Sequence, residues 1–311
     1  MNRLKNKLNK LKKYSPNISS QYIKSKELSD LSLNQEKQPN EKLWIEPGHF
    51  YSPITNSTNF KKFKSRNTIP GISLNSAKQL SYLSKIAKYY DEQPFSDDDN
   101  NKTRYYFVND QFSYSDALSL YGMLRYKKPK RVVEVGSGYS SALMLDVNNL
   151  FLKNSMKLTF IEPFPTRLKS LIRPDDKKTV NIIEKPVQKV DLRQFKLLDA
   201  GDILFIDSSH VSKSGSDVNW LYFEVLPALK KGVIIHIHDI MYPFEYLDDW
   251  IKQGRSWNEA YMLKSFMMFN NDYKIIFWPN YLHAFYKDRI QKTMPLSKKN
   301  IGGSIWIEKI K

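Results

Sequence analysis

From residue 131 onward the apolar positions fall into short unbroken runs, each followed by a stretch in which they recur every third or fourth residue. The runs predict buried strands at Arg131 to Val135, Lys157 to Ile161, Val180 to Glu184, Asp202 to Ile206 and Val233 to Ile237. The stretches between them predict helices from about Ser140, near Arg167, near Leu192 and over Val218 to Leu229. Strand, helix, strand repetition needs crossover connections, and these build a parallel sheet with helices on both faces. Two later runs, Tyr273 to Trp278 and Gly303 to Ile307, predict strands that close one edge. The expected fold is a doubly wound α/β sheet of seven strands, mostly parallel, with one antiparallel strand near the C-terminus.

Upstream the pattern changes. Leu74, Leu80, Leu83, Ile86, Ala87 and Tyr90 have helical spacing, and a second helix is expected from Tyr114 to Arg125, ahead of Pro129. Trp44 to Pro53 packs aromatics, Pro and Gly into a stretch too apolar for a linker and too punctuated for a helix, so it is expected to fold against the main domain. Residues 14–43 are rich in Ser, Asn, Gln and Lys without periodicity and read as a linker or poorly ordered arm. Leu4, Leu8 and Leu11 form a leucine stripe on a cationic segment, which fits either a helix lying on an anionic membrane or a solvated basic tail. The domain reading is therefore a basic, partly flexible arm at 1–43, an aromatic and helical cap segment at 44–125, and the α/β domain at 126–311.

Charge sharpens the view of the arm. The chain of 311 residues carries a formal net charge of +17. Residues 1–70 hold fourteen basic and five acidic residues, so more than half of the excess lies in the first quarter of the chain. Such an excess suits an anionic partner. The absence of Cys excludes disulfides, thiolate metal sites and thiol catalysis, and fits a reducing compartment. No run approaches the ~18 uncharged apolar residues of a membrane span, and no signal-peptide pattern opens the chain, so the expected location is cytoplasmic, at most peripheral to the inner face of the membrane.

The chemistry-bearing segment is Val132-Val133-Glu134-Val135-Gly136-Ser137-Gly138-Tyr139-Ser140-Ser141, a strand ending in a Gly-x-Gly turn before a helix. Glycines let a ligand approach the backbone, and the helix start offers free amides. A dinucleotide fingerprint would place a third Gly near position 141, where Ser141 stands, which lowers the nicotinamide reading. The segment resembles the class I S-adenosylmethionine-dependent methyltransferases, whose acid two residues before the first Gly corresponds to Glu134. The resemblance covers about Tyr114 to Ile310 and implies a Rossmann-like fold. It places Glu134, Gly136, Ser137 and Gly138 against the methionine end of the cofactor and Val187 or Gln188 near the adenine. Glu162, at the end of the second strand, can accept ribose hydroxyls, a need shared by NAD and S-adenosylmethionine sites.

Asp207-Ser208-Ser209-His210 follows the fourth strand and His238-Asp239 the fifth, so these residues can meet on one rim of the sheet. They resemble the metal-assisted O-methyltransferases that act on small molecules and sugars. That likeness implies His210 as general base beside Asp207, and a Mg or other divalent cation at Asp207, Asp239 and His238, with Asp207 also on the cofactor side. His238 stands where these relatives carry an acid, which leaves a softer ion, or base catalysis without metal, open. His236, two residues before it in the strand, is expected in the core. Asp207 is followed by Ser-Ser rather than the Pro-Pro-aromatic turn of base methyltransferases, which argues against nucleic acid.

Ser256 and Glu259 form a capping-box pattern ahead of an apolar helix, while Arg255 and Trp257 are candidates for the acceptor side. The expected activity is methyl transfer to a hydroxyl of a small molecule or sugar, with a bacterial glycan precursor as the acceptor class suggested by resemblance. Two alternatives are a non-catalytic scaffold that keeps the fold and an RNA-binding methyltransferase.

Overall fold

The computed structural model describes residues 45–62 and 66–311, so the leucine stripe and most of the basic arm lie outside the described residues. The chain divides after Ser52, and Pro53–Lys311 forms one unit. Among residues 45–52, His49 N donates to the Glu46 carbonyl at 3.2 Å and Ser52 N to the His49 carbonyl at 2.8 Å. The rings of His49, Phe50 and Tyr51 lie against one another, with the His49 and Phe50 centroids 4.3 Å apart.

Seven strands form one sheet: β1 Arg131–Val135, β2 Lys157–Ile161, β3 Val180–Ile183, β4 Ile203–Ile206, β5 Ile234–Ile237, β6 Tyr273–Phe277 and β7 Ile305–Lys309. Their order is β3-β2-β1-β4-β5-β7-β6, and β7 runs antiparallel to both of its neighbours while the remaining pairs are parallel. This is the Rossmann-like architecture expected from the alternating runs. β4 and β5 are buried along their whole length, which is why they read as unbroken apolar segments rather than alternating ones.

The register positions the site. Val135 pairs with Ile161 and with Ile206, and Ile206 with Ile237, so the carboxyl ends of β2, β1, β4 and β5 are level. The residues that follow, Glu162, Gly136, Asp207 and His238, therefore stand side by side on one rim. The chain winds in opposite directions from β1, toward β2 on one side and β4 on the other, and a crevice opens at such a switch point. Asp202 steadies the other end of the sheet: one carboxylate oxygen accepts from the Lys130 and Arg131 amides, each at 2.9 Å.

Helices α1 Ser76–Ile86, α2 Tyr114–Lys127 and α3 Tyr139–Phe151 belong to the same unit as the sheet, with α2 packed between the other two. Position 104 ties the incoming segment to α3. The buried Arg104 guanidinium bonds Asp146 at 2.7 Å and Asp176 at 2.7 and 3.0 Å. Removing one partner of such a buried pair leaves an uncompensated charge, at a cost of about 3–5 kcal/mol. Two residues on, the Tyr106 hydroxyl meets that of Tyr139, the first residue of α3, at 2.8 Å. No helix among the described residues is long and apolar enough to cross a membrane.

Candidate functional site

At the end of β1, Gly136 has φ +79, and a Cβ there would lie 2.0 Å from the Asp207 carbonyl oxygen. The β1 turn is thus pressed against the end of β4, where the Asp207 amide donates to the Val135 carbonyl at 2.9 Å. Gly138 differs: a Cβ there would meet only the Arg167 Cδ, at 3.9 Å. That leaves room beside the start of α3 for a ligand to approach the backbone. Glu162 closes the other side, with one carboxylate oxygen accepting from the Ser137 amide at 3.1 Å and the other from the Phe164 amide at 2.9 Å. Gln188 donates to the Gly215 carbonyl at 3.0 Å, linking the loop after β3 to the loop after β4.

Glu134 is fully buried beneath this turn. The Ser140 hydroxyl donates to it at 2.5 Å, and the Ser141 hydroxyl donates to its other oxygen. Burial still dominates and pushes the carboxyl up to about 8. The unfolded chain ionises this group near the ordinary glutamate value, whereas the folded chain keeps the proton to about 8. Stability of the ligand-free protein should therefore fall as pH rises through that interval. Glu134→Gln is expected to flatten the fall, measured by urea unfolding at about pH 5 and about pH 8.5; an unchanged slope would contradict the assignment.

The second half of the site gathers three acids around one imidazole. His210 Nε2 lies 3.4 Å from Asp207 Oδ1 and 3.3 Å from Asp239 Oδ2, while Nδ1 lies 2.9 Å from Glu259 Oε2. His210 and Asp239 both adopt left-handed backbone, φ +61 and +58, which turns each out of its strand direction toward the rim. Ligand atoms of Asp207, His210 and Asp239 all fall within 4.8 Å of one another, a spacing that could hold a cation. Burial pulls the His210 pKa down, but the bonds to Asp207 and Glu259 and the charge of Asp239 outweigh it and hold the pKa well above the ordinary value. These acids strengthen the hold of the imidazole on a proton, and a positive charge placed among them would weaken it.

A family model described as a methyltransferase domain matches residues 133–240, from β1 to just past β5. Over 165 residues the chain is 36% identical to an uncharacterized protein of Archaeoglobus fulgidus, an overlap that covers 49% of this chain and 73% of that one. The chain belongs to this methyltransferase-domain family. Among solved structures it is similar to the S-adenosylhomocysteine-bound methyltransferase PaMTH1 of Podospora anserina, with 14% identity and a TM-score of 0.42, covering 78% of this chain and 99% of that one. It is also similar to the O-methyltransferase TomG of Streptomyces achromogenes, with 14% identity and a TM-score of 0.40, covering 74% and 90%.

Other residues of the methyltransferase domain fall outside the trio. His238 Nε2 stands 3.7 Å from Asp239 Oδ1, and its ring lies toward Phe112, 5.3 Å away, so it flanks the trio that His210 completes. His236 stacks flat on Phe205 at 3.9 Å, and burial drives its pKa well below the ordinary value, so it is a neutral core residue.

The capping box does not form. α4, Glu259–Met267, starts with the Asn258 and Glu259 amides donating to the His210 carbonyl at 3.0 and 3.2 Å. With those amides satisfied, the fully buried Glu259 side chain turns inward, where it also accepts from the Ser208 hydroxyl at 2.8 Å. Sequence reasoning missed this residue; its one signal, a Glu three after a Ser, pointed to a cap. Trp257 lies against His210, with ring centroids 4.5 Å apart, and the Arg255 guanidinium lies over Trp257 and Trp250.

Proposed function

We propose that this domain moves the methyl group of S-adenosylmethionine to a hydroxyl of a small molecule or sugar. The observation that carries the reading is the convergence of Asp207, His210 and Asp239 beside the Gly-x-Gly turn. The room at Gly138 and the carboxylate of Glu162 suit the methionine and ribose parts of that cofactor, and Gln188 stands on the side assigned to adenine. Two carboxylates and an imidazole suit a borderline divalent cation such as manganese or zinc at least as well as magnesium.

When bound, the cofactor supplies an electrophilic methyl on a sulfonium, and a cation makes an acceptor hydroxyl more acidic. The chain's own part is alignment and proton handling. Asp207 and Asp239 hold the acceptor end of the rim. Glu259 accepts the Nδ1 proton of His210, so Nε2 is the nitrogen that faces the acceptor. The hydroxyl proton leaves to the base side as the oxygen forms its bond to the methyl carbon and the carbon–sulfur bond breaks, giving the methyl ether and S-adenosylhomocysteine. Trp257 and Arg255 border the acceptor side, and residues 104–113, tied to α3 through Arg104 and Tyr106, supply the cover over the cofactor.

Calorimetry with S-adenosylhomocysteine tests the cofactor, and a further titration with manganese, magnesium or zinc tests the trio. Binding of the nucleoside and of at least one cation is expected. No nucleoside binding would overturn the reading, and cation binding unchanged in Asp239→Asn would remove the trio from it.

A further inference from the structure

Arg255 sits in a setting unlike that of two other buried or partly buried arginines, Arg104 and Arg125. Arg104 is matched by Asp146 and Asp176, and Arg125 by Glu92 at 2.5 Å. The half-buried Arg255 has no carboxylate within ion-pair distance among the described residues. Its Nε donates to the Gln253 side-chain oxygen at 3.1 Å, which leaves the two terminal nitrogens of the fork to other acceptors. Its guanidinium carbon lies 4.9 Å from the ring centroids of both Trp250 and Trp257, whose own centroids are 5.1 Å apart at an interplanar angle of 69°. The two indoles hold the fork in one place and strip part of its water. Tyr246 extends the aromatic wall, 6.0 Å from Trp257.

The same Trp257 ring touches His210. One indole therefore separates an arginine fork from the trio, a gap that a small acceptor can bridge. Planar guanidinium forks match phosphate and carboxylate oxygens two at a time, and partial desolvation strengthens such a contact. Asp207, Asp239 and Glu259 make the trio itself unfavourable for an anion. An acceptor with one anionic group and one reacting hydroxyl is thereby oriented: the anion goes to Arg255 and the hydroxyl to the rim.

We infer that Arg255, framed by Trp250 and Trp257, is a subsite for an anionic group on the methyl acceptor, so that the acceptor is a phosphorylated or carboxylated small molecule. The inference rests on the methyl-transfer reading above. It is tested on the full-length, metal-stripped protein saturated with S-adenosylhomocysteine, by titrating inorganic phosphate and, separately, acetate, with tryptophan fluorescence and calorimetry as readouts.

Saturable binding of phosphate identifies a phosphate-bearing acceptor, and of acetate alone a carboxylate-bearing one. Arg255→Gln is expected to weaken the bound anion about tenfold or more and Arg255→Lys less, since lysine keeps the charge but loses the fork. Both variants should bind S-adenosylhomocysteine as the native protein does, which also shows that they are folded. Absence of saturable binding for both anions, or equal binding by native protein and Arg255→Gln, overturns the subsite. Failure of the native protein to bind S-adenosylhomocysteine, with the anion difference intact, overturns the methyl-transfer reading instead.

Discussion

His210→Ala is expected to lower the rate of methyl transfer by roughly 10²- to 10⁴-fold while leaving affinity for S-adenosylhomocysteine nearly intact. The size follows from what the side chain joins. Its Nε2 lies within 3.4 Å of the two carboxylates that face the acceptor, and its Nδ1 is held by a buried glutamate, so one substitution removes the proton acceptor and unbinds the trio. The cofactor side, built from Gly136, Gly138 and Glu162, contains none of these contacts. Glu259→Ala should act through His210 and cost less, about 10- to 100-fold, because it frees the ring without deleting it. Steady-state rates and calorimetry on both variants read the two effects separately. Full activity of His210→Ala would remove the imidazole from the mechanism; equal losses in rate and cofactor affinity would mean that the rim as a whole had collapsed.

Gly136→Ala should be the most damaging small change in the fold. The left-handed backbone at φ +79 alone costs a non-glycine residue about 1–2 kcal/mol. The added methyl would also stand 2.0 Å from the Asp207 carbonyl oxygen, which is main chain and cannot rotate away. To relieve that contact β1 and β4 must part at the rim, moving Asp207 and the Ser137 amide that holds Glu162. Both stability and S-adenosylhomocysteine affinity should fall. Gly138→Ala is the contrast: its methyl meets nothing closer than 3.9 Å, so stability should change by no more than about 0.5 kcal/mol while cofactor affinity falls. Urea unfolding and calorimetry on the pair test this, and a Gly136→Ala protein as stable as the native one would contradict the close approach.

The sheet and its rim were legible in the sequence because they depend on local pattern and one topological rule. Unbroken apolar runs such as Ile203–Ile206 and Ile234–Ile237 are what a strand covered on both faces requires. Once parallel strands end level, the residue after each run must reach the same edge, which brings Glu162, Gly136, Asp207 and His238 together without any knowledge of side-chain contacts. Tertiary structure decided which of the neighbouring groups meet. His238 and Asp239 are adjacent in sequence, yet the left-handed turn at Asp239 sends the acid to the trio while the imidazole stays beside Phe112. Glu259 carried the local signature of a helix cap. Its role changed because the carbonyl of His210, 49 residues earlier, takes the amides that the cap would have served, and a buried carboxylate then bonds whatever donors surround it. The raised proton affinity of His210 was likewise beyond local reading, since it depends on three acids drawn from separate loops and a helix start that only the folded chain brings within a few ångströms.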